Sequence, residues 1–147
     1  MIEYVLMREE HVAQVALLER LCFSAPWSEN AIRSELTNPL SLWVVAVDGK
    51  TVAGYVGSQS VMGEADMMNL AVLPQYRRMG VGRQLVDSLI EYLRNNQVSC
   101  LTLEVRASND AAQSLYENKG FHQVGRRPNY YANPKEDALI LRKEWEV

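Results

Sequence analysis

The chain has 147 residues, 48% of them apolar and 22% charged, which suits one globular domain able to bury a core without disulfides or metals. Its formal net charge of −3 argues against bulk nucleic-acid binding, which needs a surplus of Lys and Arg, although basic pairs stand at Arg77-Arg78 and Arg126-Arg127. No apolar run nears the ~20 residues of a membrane span, no basic-then-apolar start marks a secretory signal, and Cys22 and Cys100 form no CxxC pair. The expectation is a cytoplasmic protein with two buried free thiols, no metal, no membrane or direct nucleic-acid partner, and a monomeric or weakly dimeric state.

In chain order, Met1–Met7 reads as a short strand. From Glu9 to about Cys22, Val12, Val15, Ala16 and Leu18 recur at helical spacing, behind acidic residues that favour a helix start. Ser28 can cap a second helix whose inner face carries Ile32 and Leu36 and which ends near Asn38-Pro39. Leu42–Val47 and Thr51–Val61 flank the turn signal Asp48-Gly49 and predict an antiparallel pair. Ala65–Val72 is a further strand, stopped at Pro74. Val81, Leu85, Leu89 and Leu93, flanked by Val86 and Ile90, make the clearest amphipathic helix. Cys100–Val105 alternates as a strand, Ala111–Lys119 is a short helix closed by Gly120, and Phe121–Gly125 and Ala138–Arg142 finish as strands. The order predicts a mixed α/β domain over residues 1–147, with helices on both faces of the sheet.

The junction Leu70-Ala71-Val72-Leu73-Pro74-Gln75-Tyr76-Arg77-Arg78-Met79-Gly80-Val81-Gly82 joins a strand to the clearest helix. Glycines let a ligand approach the backbone, and a helix start offers amide hydrogens with no partner of their own. An anion placed there gains hydrogen bonds and a favourable dipole. Many two-glycine loops merely turn the chain, so both readings stand at this level. The loop lacks the GxxxxGK[ST] of a nucleoside-triphosphate site, and Leu85 occupies the third glycine position of a dinucleotide fingerprint.

Arg77-x-x-Gly80-x-Gly82 resembles the acetyl-coenzyme A signature of the Gcn5-related N-acetyltransferase (GNAT) family. Two further segments are similar to one subgroup, the RimI-like bacterial ribosomal-protein-alanine N-acetyltransferases. These are Leu103–Asn109 with Leu115–Phe121, and Arg126-Arg127-Pro128-Asn129-Tyr130-Tyr131. The resemblance covers nearly the whole chain. It implies a mostly antiparallel mixed sheet with a splayed central strand pair and acetyl-CoA as co-substrate. It also implies that amides of Arg77, Arg78, Met79, Gly80, Val81 and Gly82 grip the pyrophosphate, and that Leu70, Ala71 and Val72 pair with the pantetheine arm.

The reaction needs an amine to lose a proton, attack the thioester and expel a thiolate. A free α-amine has a pKa near 7.7–8.0, so a modest base suffices. Glu104, in the apolar run Leu101–Val105, is an ordinary half-exposed strand carboxylate by default; the resemblance makes it the base. Tyr116 is by default a packing aromatic; the resemblance makes it the acid for the leaving sulfur. Asn109 can cap the helix bearing Tyr116, and in similar enzymes also bonds pantetheine. Tyr130 and Tyr131 either line the peptide side or decorate a surface. Trp27 and Trp43 read as packing residues, and His11 and His122 are isolated. The leading expectation is acetylation of a protein N-terminus, that of an alanine-initiated small-subunit ribosomal protein by resemblance. The alternatives are a lysine or small-amine acceptor and a non-catalytic CoA sensor.

Overall fold

In the computed structural model, which describes residues 1–147, the chain opens with strand β1 (Ile2–Leu6), helix α1 (Glu9–Cys22) and the short helix α2 (Glu29–Ser34). Ser28 Oγ caps α2 by accepting from the Ala31 N–H at 3.1 Å, and a 3₁₀ turn (Glu35–Thr37) completes the element. Three strands follow, β2 (Ser41–Asp48), β3 (Thr51–Val61) and β4 (Glu64–Val72). Next come helix α3 (Val81–Asn95), β5 (Cys100–Arg106), α4 (Asp110–Asn118), β6 (His122–Tyr131) and β7 (Glu136–Glu144).

All seven strands form one sheet in the order β1-β2-β3-β4-β5-β7-β6. Every neighbouring pair is antiparallel except β4 and β5, which run parallel. This is the mixed, mostly antiparallel sheet of the GNAT expectation. The last two strands are longer than their sequence pattern suggests. Arg126-Arg127-Pro128-Asn129 lacks apolar alternation, yet the strand persists because Asp137 on β7 accepts from the Asn129 N–H at 2.8 Å and from Arg126 Nε at 2.7 Å.

The parallel pair is bonded only at Glu64↔Cys100, Ala65↔Leu101 and Asp66↔Thr102. Beyond that point β4 stays with β3 and β5 stays with β7. The β3–β4 register shifts where Gly57 faces Asn69 and Ser58 faces Met67, so Met68 is bulged out of the ladder. A bulge bends its strand, and here the bend coincides with the start of the divergence. The result is a wedge-shaped gap in the middle of the sheet.

The two faces are packed unequally. On one, Leu85, Leu89 and Leu93 of α3 meet Leu101, Leu103, Val105, Tyr116 and Phe121 in a cluster of 19 buried residues. On the other, Val12, Val15 and Leu18 of α1 and Ile32 of α2 cover Trp43, Val45, Tyr55 and Ala71. No residue of β5, β6 or β7 joins this second cluster, so their side of that face is left open. Trp43 lies edge-on to Trp27 and stacked beside Tyr55. A Cβ on Gly57 would sit 2.5 Å from the Trp43 ring, which is why glycine stands there. Both tryptophans are therefore packing residues, as expected.

Cys100 is buried, but Cys22 is only half-buried, correcting the expectation of two buried thiols. It is the last residue of α1, at the rim of the cluster rather than beneath it. No helix is long and apolar enough to cross a membrane.

Candidate active site

β4 ends at Val72, and one 3₁₀ turn (Pro74–Tyr76) leads into the glycine loop. The reversal uses left-handed backbone at Arg78 (φ 65°) and Gly80 (φ 80°). No side chain caps α3, and the amide hydrogens from Arg78 through Arg83 donate to no acceptor in the protein. A Cβ on Gly80 would meet nothing within 4 Å, so the loop is open to solvent at that position. Gly82 packs on the strand, 3.8 Å from Leu70 Cδ2 and 3.9 Å from Val72 Cγ2 measured from an ideal Cβ. Free amides at a helix start, with the positive dipole end behind them, suit a diphosphate.

Arg77 is engaged elsewhere. Its Nε donates to the Val72 carbonyl at 3.0 Å, and its Nη2 lies 3.7 Å from Cys22 Sγ. The guanidinium ties the loop to β4 and α1, so the unpartnered donors of this corner are backbone amides rather than the Arg77 side chain. Arg78 and Met79 are exposed.

Leu70, Ala71 and Val72 lie on β4 past its last bond to β5, along the gap. Glu104 lies on β5 past the same point. Its neighbours Leu103 and Val105 are buried under α3, so Glu104 belongs to the opposite, open face. Tyr116, on α4, approaches from the α3 side. It is buried, edge-on to Phe121 at 5.4 Å, and its hydroxyl lies 3.8 Å from Met67 Sδ. Burial pushes its pKa up to about 12, so it holds its proton throughout the neutral range. The carboxylate and the phenol thus flank the gap from opposite faces. Asn109 caps α4: its Oδ1 accepts from the Ala112 N–H at 3.0 Å.

The open face beside Glu104 carries aromatic rings and charges of both signs. Arg127 Nε is 4.0 Å from Glu104 Oε1. Hydrogen bonding with the Glu104 carboxylate, and then burial, raises the Tyr130 hydroxyl above its ordinary pKa. Tyr130 and Tyr131 meet edge-on at 5.1 Å, under the guanidinium groups of Arg127 and Arg106 respectively. Asp66 is raised by desolvation, then by the charges of Glu104 and Glu64. His11 and His122 take no part: the first is buried under the start of α1, the second exposed on β6.

One constellation escapes the sequence reading. Glu19 is fully buried, with no cation beside it. Its Oε1 accepts from the Trp27 N–H at 2.8 Å. Its Oε2 accepts from Asn69 Nδ2 at 2.8 Å and from the Tyr55 hydroxyl. The signal was present: Glu19 continues the inner-face spacing of Val12, Val15 and Ala16, where a carboxylate needs a reason.

The profile of the acetyltransferase (GNAT) family matches residues 12–121. The chain is 40% identical over 126 residues to the ribosomal protein bS18-alanine N-acetyltransferase of Escherichia coli K12, covering 84% of each chain. Its fold superposes with a TM-score of 0.90 on the crystal structure of the ribosomal-protein-S18-alanine N-acetyltransferase from Escherichia coli. That alignment has 34% identity and covers 100% of this chain and 96% of the other. A further likeness, with a TM-score of 0.84 and 27% identity over 99% of each chain, is to a chain of the NatC complex bound to Gag peptide and CoA.

Proposed function

The chain belongs to the acetyltransferase (GNAT) family, and from that premise we propose that it transfers the acetyl group of acetyl-CoA to the N-terminal amine of a protein. The similar enzymes direct the choice of acceptor to the N-terminal alanine of a small-subunit ribosomal protein. The observation that carries this reading is the gap itself. It is bounded at one end by unpartnered amides and flanked on opposite faces by one carboxylate and one protonated phenol.

In this mechanism the amides from Arg78 to Gly82 hold the diphosphate, and the free edge of Leu70–Val72 aligns the pantetheine arm. Asn109 assists from the start of α4. Acetyl-CoA supplies an activated acyl group. Glu104 receives a proton from the attacking amine, directly or through one water, and Tyr116 gives its proton to the departing sulfur. The C–N bond forms as the C–S bond breaks, and one proton crosses from each side. Such acid and base groups typically contribute about 10²- to 10⁴-fold. On the open face Arg142 pairs with Glu64 and Arg127 lies beside Glu104, and Tyr130 and Tyr131 line the approach.

The test is to mix the protein with acetyl-CoA and peptides of differing first residue and follow free thiol. Peptides beginning with alanine should release thiol fastest, with the acetyl group located on the α-nitrogen by mass spectrometry. No thiol release with any N-terminal peptide overturns the proposal.

A further inference from the structure

Asn69 stands at a particular place in the divergence. The last bonded pair is Asp66↔Thr102. Met67 and Leu103 come next and pack toward α3. Because Met68 is bulged out, the following residue that β4 turns to the α1 face is Asn69, while β5 turns Glu104 to the same face. Asn69 and Glu104 therefore oppose each other across the gap, on the side from which the acceptor comes.

The orientation of the Asn69 amide is set from behind. A carboxylate oxygen offers only lone pairs, so Glu19 Oε2 must receive the NH₂ of Asn69, as observed at 2.8 Å. Tyr55 also donates to that oxygen, and burial raises its pKa, so its hydroxyl keeps its proton. Glu19 cannot rotate away, because its other oxygen holds the Trp27 amide. The carbonyl Oδ1 of Asn69 accepts no hydrogen bond within the protein, and the residue is only half-buried.

We infer that Asn69 Oδ1 orients the incoming amine and that Glu19 is the positioning residue that keeps this oxygen facing the gap, a reading that rests on the acetyltransferase function proposed above. A neutral amine has two N–H bonds and one lone pair. With one N–H directed to Glu104 and the other to Asn69 Oδ1, the lone pair is aimed into the gap. A single acceptor would leave the nitrogen free to rotate about that bond. An amide oxygen suits the second position because it accepts without removing the proton.

The experiment measures thiol release with an alanine-initiated peptide, together with calorimetric binding of that peptide in the presence of CoA. Wild type, Asn69→Ala, Glu19→Gln and the double variant are compared. Asn69→Ala should lower kcat/KM for the peptide by about ten- to a hundredfold, as expected for one hydrogen bond to the reacting group. Peptide binding should weaken while acetyl-CoA affinity is unchanged. Glu19→Gln should produce a similar loss, since an amide at that position can turn Asn69 around and point its NH₂ at the amine. The double variant should be no worse than the poorer single one, the signature of two residues acting through one contact. Wild-type turnover in Asn69→Ala, or losses that multiply in the double variant, overturn the inference. Retained acetyl-CoA binding checks that each variant is folded. An active wild type beside an undiminished Asn69→Ala refutes Asn69 alone, whereas an inert wild type removes the acetyltransferase reading and this inference with it.

Discussion

Between Arg78 and Arg83 the unpartnered donors are backbone amides of one continuous segment. Across the gap, Glu19, Asn69, Glu104 and Tyr130 come from α1, β4, β5 and β6, and the polar atoms in question belong to side chains. The first region needs only the right φ angles and a helix start. The second needs four elements assembled in register, a buried carboxylate and a bulge. A backbone site is robust to side-chain change except at its glycines, whereas a side-chain site concentrates its chemistry in single residues. Substitutions in the two regions should therefore separate cofactor binding from turnover.

The sharpest division is expected at Glu104. Glu104→Gln keeps the shape and removes the proton acceptor, so turnover should fall by about 10²- to 10⁴-fold with acetyl-CoA affinity unchanged. Stopped-flow acetyl transfer beside calorimetry of cofactor binding measures both. Equal losses in the two would erase the division and make Glu104 a structural residue.

Tyr116 makes the comparison testable by pH. Burial raises its pKa from the ordinary 10.0 to about 12. The folded protein then holds this proton more tightly than the unfolded chain, so the associated stability is complete below about pH 10 and lost as pH rises through about 12. The two-unit difference corresponds to about 2–3 kcal/mol. Tyr55, also raised, acts with the same sign. Urea midpoints between pH 9 and 12 should fall steeply for wild type and less so for Tyr116→Phe. Identical pH slopes would contradict the buried, protonated phenol.

At the loop, Gly80→Ala should do the converse of Glu104→Gln. Nothing would touch the added methyl, so its effect comes only from the left-handed backbone at φ 80°, about 1–2 kcal/mol. If the loop relaxes, the amide row is misaligned and acetyl-CoA binding weakens by about tenfold, with the acceptor KM unmoved. Unchanged cofactor affinity would mean that the loop merely turns the chain.

This contrast also explains what the sequence could and could not reveal. The glycine loop is local, so Arg77–Gly82 was legible as a motif, as were the helix of Val81–Leu93 and the Thr51–Val61 strand. Glu104 and Tyr116 were legible as candidates only through resemblance, because strand alternation assigns Glu104 a face but not a neighbour. Glu19 was legible only as a carboxylate on the inner face of its helix, and its pairing with Asn69 was not legible at all. Their meeting spans fifty positions of chain and depends on the bulge at Met68, which no residue pattern announces. The polar stretch Arg126–Asn129 was missed as strand for a related reason: its order comes from Asp137 on the partner strand, not from its own composition.

Asn109 belongs to both halves of the comparison, and the smallest expected effect is the one that divides them. Its Oδ1 is committed to the Ala112 amide as the cap of α4, which leaves Nδ2 as the atom able to bond the pantetheine arm. Asn109→Asp keeps the acceptor and so keeps the cap, but replaces the donor with a charge. Asn109→Ala removes both. The alanine variant should lose about 1 kcal/mol of stability, whereas the aspartate variant should melt like wild type. Both should bind acetyl-CoA only a few-fold more weakly, on the order of one lost neutral hydrogen bond. If Asn109→Asp binds the cofactor as wild type does, the residue acts through helix capping alone, and the cofactor site reduces to backbone from Leu70 to Gly82.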